Sequence, residues 1–387
     1  MKNRSIAVRQ ARLVLEDGSE YSGYQFGKAR SQAGELVFTT AMSGYPQFLT
    51  DPGYRGQILV TTYPLMGNGG VPVKPKSCEP FIDEQGIPLH LESSQVQVSG
   101  FVVSEACNEP SHYSSGATLS EWLDKNNVPG IYGIDTRALA QRLRDNGVMR
   151  GKILVEGSRD VTMDSALVPN PAAEVSCPEP KTYKPQSGKG GRTDKNPFRT
   201  IALIDCGVKA NILRCLLARN VEVICLPWNH DLKGIEYDGL LLSNGPGDPK
   251  ACGKAIAAVR QAFDRKKPIF GVGLGNQIMA LAAGGDTYKL PYGHRGQAQP
   301  CLELGTERCY ITGQNHGYAV RAESLPKGWE PWFVNANDNT VEGIRSTRAP
   351  FSAVQFSPEG CPGPRDTEFL IDSFLEQVAE QVKEAKK

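Results

Sequence analysis

The sequence predicts an α/β protein of two domains, the second a doubly wound unit with a mainly parallel sheet. Three observations predict it. From Thr200 onward, apolar runs of strand length alternate with helix-length segments, the order that gives a parallel sheet with crossover helices. Within that region, Lys267-Pro-Ile-Phe-Gly-Val-Gly-Leu-Gly-Asn-Gln-Ile-Met-Ala-Leu-Ala-Ala-Gly284 reads as a buried strand, a sharp glycine turn and an apolar helix from about Gln277. Ahead of it, residues 156–199 are polar and rich in Pro, Gly and Lys, as in Lys184-Pro-Gln-Ser-Gly-Lys-Gly-Gly-Arg-Thr-Asp-Lys-Asn196. That composition builds no core and reads as a linker between residues 11–155 and 200–380.

The first domain is legible element by element. Ala11 to Gly27 holds two short β segments around Asp17-Gly18, a hairpin dipeptide. Glu35–Thr40, Gln57–Tyr63 and Gln97–Ser104 read as strands, and Gly44–Tyr54, dense in turn residues, reads as loop. Thr118 followed by Glu121 is a capping-box pattern that starts a helix to Asn126. Asp135 caps a second helix that Asn146-Gly147 stops.

In the second domain, Ile201–Asp205, Val221–Leu226 and Gly239–Ser243 read as strands, with a helix over Lys209–Asn220. Ligands of such sheets bind at the carboxyl ends of the strands. The loop Ser243-Asn-Gly-Pro-Gly-Asp248 and the turn Gly271–Gly275 both sit there. No Gly-Lys-Ser/Thr follows the loop, so it is no Walker phosphate cradle. The turn has the form of a nucleophile elbow, whose apex side chain attacks and whose helix N–H groups face a developing oxyanion. The chemistry needs Cys or Ser at the apex. This chain has Gly273.

Composition excludes several classes. A net charge of +1 over 387 residues argues against nucleic acid and membrane surfaces. No apolar run approaches the ~18 residues of a membrane span. The ten cysteines form no Cys-x-x-Cys pair and show no zinc spacing with histidine, so they read as free thiols in a reducing compartment. The cytoplasm is the expected location. The basic N-terminus (Lys2, Arg4, Arg9, Arg12), with no acid before Glu16, keeps the mitochondrial matrix as the alternative.

Gly-Val-Gly-Leu-Gly-Asn-Gln at 271–277 resembles the Gly-x-Cys-x-Gly-[His/Asn]-Gln elbow of class I glutamine amidotransferases, with Gly273 in place of the Cys. Leu13-Val-Leu-Glu-Asp-Gly18, Gly34-Glu-Leu-Val-Phe38, Thr50-Asp-Pro52 and Gly133-Ile-Asp-Thr-Arg137, in that order, resemble the N-terminal domain of the carbamoyl-phosphate synthetase small subunit. That domain is not shared by other amidotransferases. Trp332–Asp338 and Glu342–Ile344 resemble the eukaryotic-type branch of that subunit. The resemblance runs roughly from Ala11 to Glu380. It implies a small-subunit-specific α/β domain followed by a flavodoxin-like amidotransferase domain.

The resemblance also implies site residues. Gly245 and Gly247 would line a glutamine pocket with Leu274 and Gln277; Asn315, Gly317 and Tyr318, in Gln314-Asn-His-Gly-Tyr318, would contact glutamine. His316 would be a structural pocket residue rather than a base. Gly53 stands where a Ser hydroxyl is usual. In Ala353-Val-Gln-Phe-Ser-Pro-Glu-Gly360, Ser357 takes the place of the family's general-base His, while Glu359, which would orient that His, remains. Cys361, near Ser357 in sequence, and Cys252, which follows the glycine loop, are the candidate substitutes for the nucleophile, and neither lies on the elbow. The implied activity is that of a small subunit that has lost its own glutaminase chemistry and supports an ammonia-using synthetase. The alternative is a freestanding regulatory protein that binds L-glutamine. No cofactor or metal is expected on this chain. It shows no ATP-grasp segment, so ATP and Mg would be bound by a large subunit, the expected partner.

Overall fold

The computed structural model describes residues 9–166, 168–185 and 199–384, in two compact units. The first comprises residues up to Asp83 together with Pro88–Val168; the second comprises Glu84–Ile87 and everything from Pro169.

The first unit is built on a closed seven-stranded barrel. Its strands follow the order Gln10–Leu15, Glu20–Gly27, Pro129–Tyr132, Gly100–Val102, Gln57–Thr61, Gln32–Thr39 and Met149–Val155, which pairs back onto the first. Closure removes the sheet edges. Met149–Val155 alternates strictly between buried and half-buried residues, the period-two pattern of a strand with one face on a core. The helix Leu119–Lys125 is capped as the sequence predicts: Thr118 Oγ1 accepts from Glu121 N at 3.1 Å and Glu121 Oε2 accepts from Thr118 N at 2.9 Å. Asp135 caps the helix Thr136–Asn146 through Ala138 N. Gly44–Tyr54, read as loop, instead holds the short helix Tyr45–Leu49 and a 3-10 turn at Pro52–Tyr54. Burial of Tyr45, Phe48 and Leu49 outweighs the turn-rich composition.

The second unit is a ten-stranded sheet with helices on its faces. Its parallel part runs Val221–Pro227, Arg199–Asp205, Gly239–Leu242, Ile269–Val272 and Phe351–Val354. In chain order this is 2-1-3-4-5, the flavodoxin-like winding. An antiparallel extension, containing Val341–Ser346, Cys309–Val320, Thr287–Glu303 and Trp329–Asn335, continues the sheet beyond Phe351–Val354. The sequence reading did not resolve these strands.

The stretch expected to be linker is ordered in large part. Pro171–Val175 is a short helix, and Lys181–Tyr183 pairs antiparallel with Val223–Cys225. Residues 169–185 therefore belong to the second unit. Main-chain pairing needs no apolar side chains, which is why composition misread them. Residues 186–198, the Gly/Lys-rich heart of that expectation, lie outside the described residues.

Candidate active site

Three neighbouring parallel strands end at one place. Gly239–Leu242 runs into the loop Ser243–Asp248, Ile269–Val272 into the elbow, and Phe351–Val354 into Gln355–Glu359. The elbow helix is Leu274–Ala283, starting three residues earlier than the sequence reading placed it. It is apolar nearly all round because it is buried nearly all round. Gly275 is its second residue and sits against Leu242, whose carbonyl oxygen would lie 2.4 Å from any added Cβ. Only glycine lets the helix approach the strand this closely.

Gly273 is the apex, with φ 58° and ψ −111°. Its N–H donates to Val354 O at 2.8 Å, which ties the elbow to the last parallel strand. A Cβ built on Gly273 would stand 3.2 Å from Asn244 Cβ and 3.9 Å from Gln355 O. The absent side chain would therefore emerge between the glycine loop and the segment that carries Ser357. The structure brings these three motifs together, and no thiol, hydroxyl or imidazole projects from the apex.

Glu359 is fully buried. Its Oε1 accepts from Lys209 Nζ at 2.6 Å, and Lys209 is itself 3% exposed, so the carboxylate carries its counter-ion with it. Its backbone carbonyl accepts from Asn211 Nδ2 at 2.6 Å. The second carboxylate oxygen, Oε2, is buried with no partner. A buried carboxylate oxygen normally has a donor. Ser357, two residues away, supplies none: its N–H goes to Gly313 O and its carbonyl accepts from Gly360 N.

The elbow helix is also tied to the strand Cys309–Val320. Gln277 Nε2 donates to Tyr318 O at 2.9 Å and to Gln355 Oε1 at 3.1 Å, and Asn276 Nδ2 reaches the same Gln355 oxygen. Gln277 thus meets the strand that carries Asn315, Gly317 and Tyr318, while Leu274 lies against Gly245 of the glycine loop. Gly245 and Gly247 have packing reasons of their own: added Cβ atoms would strike Cys206 O and the Pro171 ring. Gly53 lies in the first unit, where its N–H donates to Asp51 Oδ1 at 2.8 Å.

His316 does not face the elbow as a free base. Its Nδ1 is 2.9 Å from Tyr318 O and its Nε2 is 3.0 Å from Gln314 Oε1. Beside it, His294 contacts Glu342 and Asp338. Burial works against the charged form of His294, yet Glu342 and Asp338 outweigh it and raise its pKa. Burial likewise opposes ionisation of Glu342, and His316 and His294 together lower its pKa. Cys252 is buried beside Cys206, whose thiol that neighbour and burial push up; this pair is not on the elbow.

Sequence reasoning gave no role to Lys209, Asn244, Gln355 or His294. Asn244 and Gln355 stand inside strings it used, whereas Lys209 and His294 meet their partners only through the tertiary fold.

Residues 202–377 match the family described as glutamine amidotransferase class-I, and residues 13–153 match the carbamoyl-phosphate synthase small chain, CPSase domain. The chain joins a carbamoyl-phosphate synthase small-chain domain to a class-I amidotransferase domain. It is 45% identical over 377 residues to the multifunctional protein pyr1-3 of Dictyostelium discoideum, covering 95% of this chain and 17% of that protein. It is 45% identical over 376 residues to the human mitochondrial carbamoyl-phosphate synthase [ammonia], covering 97% of this chain and 24% of that protein. With the multifunctional protein URA2 of Saccharomyces cerevisiae, identity is 43% over 402 residues, covering 97% of this chain and 18% of that protein. The chain thus spans about a fifth of the length of these relatives. Ser243–Asp248, the elbow, Asn315–Tyr318 and Ser357–Glu359 all fall inside the amidotransferase domain.

Proposed function

We propose that this chain is the small-chain portion of a carbamoyl-phosphate synthase that no longer hydrolyses glutamine, so that the synthetase it serves uses free ammonia. One observation carries the reading. The elbow keeps its shape while its apex, Gly273, has no reacting atom, and the buried Glu359 keeps an oxygen with no donor where Ser357 falls short. Amide hydrolysis by this route needs a thiolate to attack the carbonyl carbon and a base of pKa near ~7 to move protons. Gly273 cannot attack. Ser357 cannot serve as a base at neutral pH. Glu359 is already neutralised by Lys209 and has no imidazole to orient. What remains is the contribution of binding and oxyanion contacts, far below a working rate. The human and bullfrog (Aquarana catesbeiana) relatives are named for ammonia, which agrees with this reading.

The synthetase, with its ATP and Mg, is either a separate chain or a further part of the same polypeptide, as the much longer relatives indicate. The test is ammonia release from glutamine by the purified protein, with and without the synthetase. No release above background is expected. Sustained turnover, whether or not thiol alkylation stops it, would overturn the proposal.

A second reading, a regulatory protein that binds glutamine, draws on the intact link from Gln277 to Tyr318 that holds the implied pocket in shape. Recognition of a ground state does not need the nucleophile.

A further inference from the structure

Two histidines and a glutamate from three strands of the antiparallel extension meet in the interior of the second unit. His294 and His316 are directly paired across the strands Thr287–Glu303 and Cys309–Val320, and Glu342 comes from Val341–Ser346. All three are buried, Glu342 completely. Each histidine is oriented by a partner on its far nitrogen. His294 Nε2 is 2.8 Å from Asp338 Oδ2, and His316 Nδ1 is 2.9 Å from the Tyr318 carbonyl. Metal binding would leave the ring hydrogens on those far nitrogens and take the near ones deprotonated. The near nitrogens, His294 Nδ1 and His316 Nε2, point toward one oxygen, Glu342 Oε1, at 3.1 and 3.7 Å. The other carboxylate oxygen, Glu342 Oε2, is buried with no partner.

We propose that His294, His316 and Glu342 form a binding site for a divalent transition metal of the zinc class. Imidazole and carboxylate donors in this number suit such an ion. One ligand atom from each of the three residues lies within 4.8 Å of the other two. Bonds of about 2.0–2.1 Å to a tetrahedral ion would separate the ligand atoms by about 3.3 Å, so small side-chain shifts complete the set. Asp338 and the Tyr318 carbonyl are the outer partners that metal-binding histidines ordinarily have. The Gln314 side-chain oxygen, 3.0 Å from His316 Nε2, stands where a fourth donor would be needed. Asn335 Nδ2 and Thr340 Oγ1, at 3.4 Å from His294 Nδ1 and 3.3 Å from Glu342 Oε1, are the neighbours an entering ion would displace. A bound ion would fix the His316 ring and with it the Tyr318 carbonyl that Gln277 also holds. Local sequence spacing gives no hint of the site, because its members are 22 and 26 residues apart and only the sheet register unites them.

Among the described residues, the rival cluster of ligands is Cys177 and Cys225, 3.9 Å apart, beside Asp205. The test therefore uses the whole chain, stripped with a chelator, dialysed against zinc chloride and analysed for retained metal. Cobalt(II) serves as a spectroscopic probe. One equivalent of zinc is expected, together with a tetrahedral cobalt spectrum that lacks thiolate charge-transfer absorption. His294→Asn and Glu342→Gln should each weaken binding at least about tenfold. Asp338→Asn, on a half-exposed side chain that the fold tolerates more easily, should weaken it by about 10–100-fold. Cys177→Ser should leave it unchanged. No retained zinc, a thiolate band, loss of binding in Cys177→Ser, or binding that survives both Glu342→Gln and Asp338→Asn would each overturn the site.

Discussion

Gly273 shows how much one residue decides. Its φ of 58° with ψ −111° lies where a side chain costs about 1–3 kcal/mol. Gly273→Ala is therefore expected to destabilise the chain by about that amount, read as a lower urea midpoint; an unchanged midpoint would show that the elbow relaxes. Restoring chemistry needs more than one atom. Gly273→Cys alone lacks a base and Ser357→His alone lacks a nucleophile, so only the double variant should release ammonia from glutamine. Glutaminase activity in either single variant would refute that division of roles. Lys209 makes the opposite case. It and Glu359 are buried at 3% and 0% exposure, so Lys209→Met leaves a carboxylate unpaired and should cost about 3–5 kcal/mol in the same unfolding measurement. The two kinds of residue differed in legibility for a physical reason. Gly273 and Ser357 stand inside short strings whose neighbours are required by the local backbone. Lys209 meets Glu359 across 150 residues of sequence, and nothing near either one announces the other.

Elements were readable where a local rule sets them. The capping box at Thr118 and Glu121, the Asp135 cap and the parallel strands all follow from side chains within a few positions of each other. The long hairpin of Thr287–Glu303 and Cys309–Val320 was not readable: its polar residues are paid for by contacts with distant strands, and bulges break its alternation. The loop after Arg199–Asp205 belongs with these. Asp205 is buried, and its carboxylate accepts from the backbone N–H groups of Gly207, Val208 and Cys177 at 2.9, 2.7 and 2.7 Å. It thereby shapes the turn that delivers Lys209 to Glu359. Asp205→Ala strands three donors and should cost at least about 2 kcal/mol, while Asp205→Asn, which keeps an acceptor, should cost less. Equal losses in the two variants would mean that packing, not hydrogen bonding, is what Asp205 provides.

At the scale of the whole molecule, the expected domain boundary and the observed one differ in a way that changes how the partner reading is tested. Removing residues 1–155 would seem to isolate the amidotransferase domain. It would also remove Glu84–Ile87, which belongs to the second unit. There Gln85 exchanges hydrogen bonds with Lys184, at 2.9 and 2.7 Å, and Ile87, 2% exposed, packs with Ile201 and Leu203. Loss of binding after such a deletion would confound a missing interface with a damaged domain. Point substitutions on the first unit avoid this. Met42 and Tyr113 are 70% and 95% exposed, large apolar surfaces that contribute little to the fold. Exposed aromatic and methionine side chains are typical anchors of protein interfaces. If the small-chain domain is what docks on the synthetase, Met42→Glu together with Tyr113→Ala should weaken capture of a separately produced synthetase module by about tenfold or more, or about 1.4 kcal/mol, with no change in the unfolding midpoint. Undiminished capture would place the docking face elsewhere. Capture lost equally in Ile87→Ala, which leaves the first unit's surface untouched, would assign the contact to the amidotransferase domain instead.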